Sequence, residues 1–249
     1  MVATTLINTE KVAAFIDNMI VGTETEEGHN DIVVEVIKRL EENDLYVKLE
    51  KCKWKVREVG FLGVVIRPEE IKMEEEKVKG VMEWPRPKCV KDVQKFLGLV
   101  NYYCRLIEGF ALIARPLHDM VKKDKKWEWI ERQEKAFRKL KEQFTKEPVL
   151  AVPDLDKKLR VEVDTSDYVT GGVLLMEGED RKWRLVAFLS KSLNETERNY
   201  EIHDKEMLAI IRELKAWRHL LERAQFKFEI WTDHKNLEYF MKVQKLNRK

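Results

Sequence analysis

VEVDTSDYVTGGVL, at residues 161–174, carries the clearest strand pattern in the chain. Val161 and Val163 alternate with polar residues, and a continuous apolar run follows at residues 171–176. Another apolar run, at residues 185–190, is reached through a short polar segment. Short apolar stretches bounded by polar turns are typical of β-strands, so the sequence predicts three consecutive strands in an antiparallel meander.

A long amphipathic helix is predicted after these strands, over residues 197–222. Its apolar stripe has three- and four-residue spacing and consists of Met207, Ile210, Ile211, Leu214, Trp217 and Leu221. Residues 226–230 then alternate in a fourth strand that ends at Thr232 and Asp233. The predicted order is β-β-β-α-β, and a strand reached through a helix usually pairs parallel to an earlier strand.

Three acidic residues fall where these elements would meet. Asp164 ends the first strand, Glu206 lies beside the helical stripe, and Asp233 follows the fourth strand. Three carboxylates brought close together repel one another unless a cation neutralises them, and oxygen ligands favour Mg²⁺ or Mn²⁺. Two such ions about 4 Å apart are the usual device for hydrolysing a phosphodiester. The alternative is that each acid is an ordinary solvated surface residue.

The rest of the chain divides into two further segments. Apolar runs on either side of Asp17 and Asn18 predict a hairpin, followed by a helix over residues 27–42 and strands within LYVKL (45–49) and VGFLGVVI (59–66). Apolar residues at helical spacing then predict a helical middle segment that ends near Pro148 and Pro153. We therefore predict a mixed α+β chain with domains at residues 1–73, 74–150 and 151–249.

Composition excludes several classes of protein. The chain has 249 residues, of which 44% are apolar and 37% charged, and this is enough apolar material for a real core. Its three cysteines are far apart, which argues against a disulfide scaffold or structural zinc. No stretch has the length of a membrane span, and the first residues lack the apolar core of a signal peptide. We expect an intracellular protein, cytoplasmic or nuclear, that is neither secreted nor bound to a membrane.

The middle of the chain is basic although the whole chain has a formal charge of only +2. Residues 86–146 hold 16 basic and 8 acidic residues, a local excess of +8. A phosphate backbone responds to the local field, so this segment is a candidate nucleic-acid contact. Its densest cluster is formed by Lys122, Lys123, Lys125 and Lys126. The alternative is a set of solvated helix faces.

Nearby Trp84, Trp127 and Trp129 could stack on bases, although large aromatic residues are more often core or interface anchors.

Several motifs in order resemble the Pol polyprotein of gypsy-type LTR retrotransposons. The stretches at residues 161–174, 187–210 and 217–240 resemble its ribonuclease H domain. Those at residues 11–29, 50–66 and 93–117 look like the end of the reverse transcriptase palm, then its thumb and connection. The likeness covers nearly the whole chain, and so many motifs in the right order are far more specific than a single short pattern.

The resemblance implies roles for particular residues. Asp164, Glu206 and Asp233 match the acids that bind two Mg²⁺ or Mn²⁺ ions in the ribonuclease H site. The GFLG stretch stands where the family has its primer grip, so it implies nucleic-acid contacts by Gly60, Phe61, Leu62 and Gly63. Asp17 matches the first aspartate of the palm hairpin, a metal ligand of the polymerase.

Two departures from the family limit these roles. Asn18 stands where the family has a second aspartate, so the turn should survive while one negative charge is lost. The other polymerase aspartate of the family lies upstream of the matched segment, and its fourth ribonuclease H aspartate lies beyond KLNRK. We therefore expect an incomplete polymerase site and three of the four ribonuclease H acids.

The resemblance implies RNA-directed DNA synthesis and metal-dependent cleavage of RNA in RNA–DNA hybrids as activities of the parent protein. Its expected partners are an RNA–DNA hybrid or other nucleic acid, and the remaining Pol segments or another Pol chain. The main alternative is a non-catalytic remnant that binds nucleic acid through the basic middle segment. A third is a purely structural domain without such a partner.

Overall fold

The structure is a computed structural model that describes residues 11–23, 25–123, 125–146 and 149–233. The chain forms two compact units, one through Pro68 and one from Glu69 onward. In the second unit, strand β5 (Glu70–Met73) pairs antiparallel with β6 (Leu150–Ala151). The ends of two predicted segments are thus joined in one unit, and the three-part division at residues 73 and 150 stays a prediction.

The first unit begins with the predicted hairpin. Strands β1 (Val12–Phe15) and β2 (Asn18–Val21) pair antiparallel, with Phe15 opposite Asn18. The turn is therefore Ile16–Asp17, where Ile16 has φ 55°, and Asn18 already belongs to β2. Helix α1 (Glu26–Glu41) follows, within one residue of the predicted bounds, and its buried side chains pack against the hairpin.

The LYVKL prediction is wrong and the VGFLGVVI prediction needs refinement. Residues 45–48 form no strand, and a short 3₁₀ turn follows at Leu49–Lys51. Tyr46 is 92% exposed, so this segment does not pack its apolar side chains against a neighbouring strand. VGFLGVVI forms a hairpin of β3 (Val59–Phe61) and β4 (Val64–Ile66). Its Leu62–Gly63 turn has positive φ at both residues, as the type I′ form of a two-residue hairpin loop requires.

The predicted helical middle segment is confirmed in the second unit. Its helices are α2 (Glu75–Met82), α3 (Val90–Tyr102), α4 (Phe110–Met120) and α5 (Glu131–Thr145). A stripe of α3 is fully or nearly fully buried, and the ring of Phe96 lies 4.7 Å from that of Phe137 on α5. Because aromatic pairs stabilise a fold beyond the apolar area that they bury, this contact anchors α3 to α5.

A four-stranded sheet forms the rest of the second unit. Its strands are β7 (Leu159–Thr165), β8 (Val169–Glu177), β9 (Trp183–Ser192) and β10 (Glu229–Thr232), in the order β10-β7-β8-β9. β7, β8 and β9 are antiparallel neighbours, and β10 is parallel to β7. The predicted meander and the predicted parallel fourth strand are both confirmed. β10 begins at Glu229, three residues later than the start of the predicted alternation.

The single long helix predicted over residues 197–222 is wrong. The structure has three helices there: α6 (Glu195–Arg198), α7 (Ile202–Ala216) and α8 (Arg218–Leu221). A capping box starts α6, because the Asn194 side chain accepts from the Glu197 amide and the Glu197 carboxylate accepts from the Asn194 amide, both at 2.8 Å. Extended Glu201 then interrupts the helical backbone before α7.

The buried face of α7 also differs from the predicted stripe. Its buried residues are Lys205, Glu206, Ala209 and Glu213, whereas Ile211 of the predicted stripe is 40% exposed. Trp217 and Leu221 are buried with β7 and β8, as predicted. The helix therefore turns charged side chains toward the sheet.

Candidate active site and nucleic-acid interface

Asp164 and Asp233 lie at the same end of two neighbouring parallel strands. Thr232 of β10 is registered with Val163 of β7, so each aspartate directly follows one member of this pair. Both aspartates are exposed. Parallel pairing alone thus brings two of the three predicted acids to one edge of the sheet.

Glu206 approaches the same edge from α7. It is only 6% exposed, and its Oε2 accepts a hydrogen bond from Thr232 Oγ1 at 3.4 Å. The preceding Lys205 is also buried and its Nζ lies 3.5 Å from Asp167 Oδ1. Glu206 therefore faces the sheet beside the end of β10, and not the solvent side of its helix.

The three acids do not form a closed metal-binding group. Strand alternation turns Asp164 to the sheet face opposite Val163, whereas α7 covers the Val163 face. Among the residues that the structure describes, no group of three or more His, Cys, Asp or Glu side chains could hold a metal ion as placed. Their donor chemistry suits Mg²⁺ or Mn²⁺, but their spacing does not, and the assignment of these residues as a metal site stays a prediction.

Glu213 is a buried acid that the sequence analysis missed. It is fully buried, and neither carboxylate oxygen has a hydrogen-bond partner. Burial raises the pKa of its carboxyl to about 8, and the nearby Arg212 charge opposes only part of this shift. Its position seven residues after Glu206, two helical turns along the same face, was the available signal.

Arg212 belongs to a network beside this acid. Its guanidinium makes two 2.8 Å hydrogen bonds to Glu197 and one of 3.1 Å to Thr170 Oγ1. These bonds tie α7 to both α6 and β8. Hydrogen bonding to the Asn194 amide lowers the pKa of Glu197, and so do the contacts with Arg212.

The residues predicted in the first unit occupy two hairpin turns. Asp17 is exposed in the β1–β2 turn, and Asn18 Nδ2 lies 3.5 Å from its Oδ1. In GFLG, Gly60 and Phe61 end β3 while Leu62 and Gly63 form the turn. An ion pair of 2.6 Å between Arg67 and Glu58 closes the base of this second hairpin.

The lysine cluster follows α4 at the surface. All four of its lysines are exposed, but Lys122 is bound to Asp119 at 2.6 Å. Close by, Trp127 and Trp129 stack on each other, and Trp129 donates to Glu134 at 2.7 Å. The rings of Trp84 and Phe96 are 5.9 Å apart. These internal contacts favour the anchor interpretation of the tryptophans.

Comparison with known proteins gives two family matches. Residues 2–66 match the family model for reverse transcriptase (RNA-dependent DNA polymerase). Residues 129–228 match the model for an RNase H-like domain found in reverse transcriptase. The two segments lie in the order that the sequence motifs predict.

Curated relatives include transposon polyproteins of Schizosaccharomyces pombe. The Tf2-7 polyprotein is 35% identical and the Tf2-3 polyprotein 34% identical over 226 residues, which is 91% of this chain. The chain spans only 17% of the length of these relatives.

Solved structures of foamy viral protease-reverse transcriptase have a similar fold. The complex with an RNA/DNA hybrid has a TM-score of 0.76 at 20% identity, covering 96% of this chain and 33% of that one. The complex with dsDNA has a TM-score of 0.77 at 20% identity, covering 99% and 52%. At such identities the likeness shows the fold.

Fold and family matches together define a reverse transcriptase segment and a ribonuclease H-like segment in one chain. Over 91% of its length the chain is also similar to transposon polyproteins, in which the two domains lie within a much longer protein. The predicted fold class and the predicted kind of protein are confirmed. In the part of the chain that the structure describes, no helix is long and apolar enough to cross a membrane.

Proposed function

We propose that the chain is a reverse transcriptase/ribonuclease H segment of a gypsy-type LTR retrotransposon whose second unit binds RNA–DNA hybrids and cleaves their RNA strand. The observation that carries this proposal is the position of Glu206, buried against Thr232 where β7 and β10 end. A buried carboxylate costs stability, and one that lies at the sheet edge where Asp164 and Asp233 follow their strands is a candidate functional group.

Mg²⁺ or Mn²⁺ is the proposed cofactor, and Asp164, Glu206 and Asp233 are the residues that would hold it. A divalent ion supplies an activated water and charge neutralisation at a phosphodiester. The chain's own contribution is to hold Glu206 with the Thr232 hydroxyl and to leave both aspartates open to a nucleic-acid backbone. The acids fit the ion in donor type and not in spacing, as described above.

The first unit is proposed to belong to the polymerase of the parent protein. Asp17 and the GFLG turn lie in hairpins that would contact metal and primer, and other Pol segments or a second Pol chain would supply the remaining groups. The proposed setting is intracellular.

Cleavage of a labelled RNA–DNA hybrid tests the ribonuclease proposal. We expect the full chain with Mn²⁺ to cut the RNA strand, and Asp164→Asn and Glu206→Gln each to reduce the rate by about 100-fold or more, because each removes a ligand. Glu162→Gln is the matched control, since Glu162 is an acid on the same strand that borders Arg160 instead. Equal rates in Asp164→Asn and Glu162→Gln would refute the site assignment.

A non-catalytic nucleic-acid-binding remnant is the second candidate. The observation in its favour is the lack of a closed metal-binding group among the described residues. It predicts hybrid binding without cleavage in either metal, which the same assay detects.

Hybrid binding through the lysine cluster should weaken as salt rises. Replacing Lys122, Lys123, Lys125 and Lys126 by Gln should flatten the plot of log affinity against log salt, because each lost phosphate contact changes the slope by about 0.7 to 0.9. Stability should change by less than about 0.5 kcal/mol for each exposed lysine. Filter binding over a salt series measures the slope.

Four exposed lysines elsewhere in the second unit provide a control with the same loss of charge: Lys77, Lys79, Lys182 and Lys227. If both sets of changes alter the slope equally, the cluster is ordinary solvated surface and not a nucleic-acid contact.

A further inference from the structure

Two arginine side chains from different helices meet at one tyrosine ring beside the candidate active site. Arg115 of α4 has its Cζ 3.8 Å from the centroid of the Tyr168 ring. Arg198 of α6 has its Cζ 5.8 Å from the same centroid. Tyr168 lies in the β7–β8 turn, 45% exposed, so the three residues converge from three parts of the fold.

The tyrosine and Arg198 are held by backbone contacts. The Tyr168 carbonyl accepts from the Leu193 amide at 2.8 Å, and the Tyr168 amide donates to Ser166 Oγ at 3.4 Å. Arg198 Nε donates to the Leu193 carbonyl at 3.2 Å. One residue, Leu193, thus links the ring and the Arg198 guanidinium, and cation–π attraction fixes their orientation further.

Neither guanidinium has a direct ion pair among the described residues, although the Arg115 charge helps to lower the pKa of Asp119, one helical turn away. Among the described residues, no Asp or Glu lies within ion-pair distance of Arg115 or Arg198, although other nearby basic residues are paired. Arg212 is bound to Glu197, and Lys205 lies beside Asp167. The acid one turn from Arg115, Asp119, is bound to Lys122 at 2.6 Å. The two half-buried guanidinium groups therefore have N–H donors that can bind an anion from solution.

We propose that Arg115 and Arg198, held on the Tyr168 ring, bind one backbone phosphodiester of an RNA–DNA hybrid and so position the strand over Asp164. Guanidinium groups suit this ligand because their planar forks match phosphate oxygens. The four residue steps from Asp164 to Tyr168 span at most about 14 Å, or about four base pairs along a duplex. Contacts to phosphates set register without reading sequence, so the two arginines are positioning residues.

This inference rests on the proposed binding of hybrids, and a binding assay without cleavage separates the two. Fluorescence anisotropy of a labelled hybrid, with the full chain in EDTA, measures affinity over a salt series. Arg115→Ala with Arg198→Ala should weaken binding about tenfold at low salt and reduce the log–log slope by about one. Lys158→Ala with Lys182→Ala removes the same charge from exposed lysines at the far end of the sheet and should change affinity less than about twofold.

Conservative variants keep the test decisive if the double alanine variant does not fold. Arg115→Lys keeps the charge and loses the fork, so binding should weaken by about threefold. Tyr168→Phe keeps the ring and should bind as the wild type does, whereas Tyr168→Leu should weaken binding because the arginines lose their platform.

Each outcome has a distinct meaning. If the wild type binds no hybrid at any salt, both the proposed function and this inference are wrong. If the wild type binds and the arginine variants match the lysine control, this inference alone is wrong. The last measurement is a competition with inorganic phosphate. If phosphate displaces the labelled hybrid at a concentration equal to that of the hybrid, the two arginines bind the free anion, and the assignment to a backbone phosphodiester is wrong.

Discussion

Glu213→Gln should stabilise the second unit at about pH 8 and leave its stability at about pH 5 nearly unchanged. The Glu213 carboxyl has a pKa of about 8 in the fold, against an ordinary value of 4.5. The unfolded chain therefore releases this proton at lower pH than the folded chain does. Stability is fully present below the unfolded pKa and falls as the pH rises toward 8, by up to about 1.4 kcal/mol per pH unit. The neutral amide should recover about 4 kcal/mol at the alkaline end.

Urea unfolding at several pH values measures this effect. Glu179→Gln is the control for the loss of one acid, because the Glu179 side chain in the β8–β9 turn is 91% exposed and contacts only Lys157 among the ion pairs of the described residues. If the Glu213→Gln profile is parallel to the wild type, Glu213 ionises freely in the folded protein and its burial is not as described.

Gly172→Ala should destabilise the same unit by about 1 to 3 kcal/mol, the usual cost of overpacking. A Cβ on Gly172 would lie 2.4 Å from Glu213 Cδ and 2.7 Å from its Cγ. The Glu213 side chain is fully buried, so it has no open solvent to move into. Glu213→Ala removes the obstacle, and the Gly172→Ala change should then cost little. The free energy of unfolding of both single variants and the double variant gives the coupling energy.

The neighbouring glycine supplies the control. A Cβ on Gly171 would meet its nearest atoms at 3.8 Å, an ordinary contact, so Gly171→Ala should cost under about 1 kcal/mol. Additive effects of Gly172→Ala and Glu213→Ala would mean that the two residues do not touch in solution.

The strands of the second unit were predictable because burial on one face leaves an alternating pattern. Val161 and Val163 show this pattern, and the parallel pairing of β10 followed from the helix before it. The break between α6 and α7 was not predicted, because the predicted apolar stripe begins only at Met207 and carries no signal for the extended backbone at Glu201. The strand predicted at residues 45–49 failed because strand-like composition forms a strand only when a partner is available.

The sequence named the candidate acids, whose assignment as a site stays a prediction, and it did not give their geometry. The family resemblance predicted that Glu206 lies at the site, and the structure buries Glu206 against Thr232 at the edge of the sheet. Glu213 was overlooked because helical patterns are read on the assumption that acids face water. The meeting of Arg115, Tyr168 and Arg198 joins residues far apart in sequence, and no local spacing encodes such a contact.

The edge position of β10 has a consequence for the order in which the fold is completed. β7 and β8 are joined by a tight turn, with Thr165 opposite Thr170, and need only a short loop to meet. β10 reaches β7 from much further along the chain: Arg160 and Glu229, whose side chains bond at 3.1 Å, are 69 residues apart. Closing such a loop costs conformational entropy before strand pairing can stabilise the sheet, so strands that are distant in sequence pair slowly. Asp233 therefore reaches the edge where Asp164 lies only with the slowest contact of the sheet, and during synthesis the three strands of the meander are all made before the candidate nuclease edge.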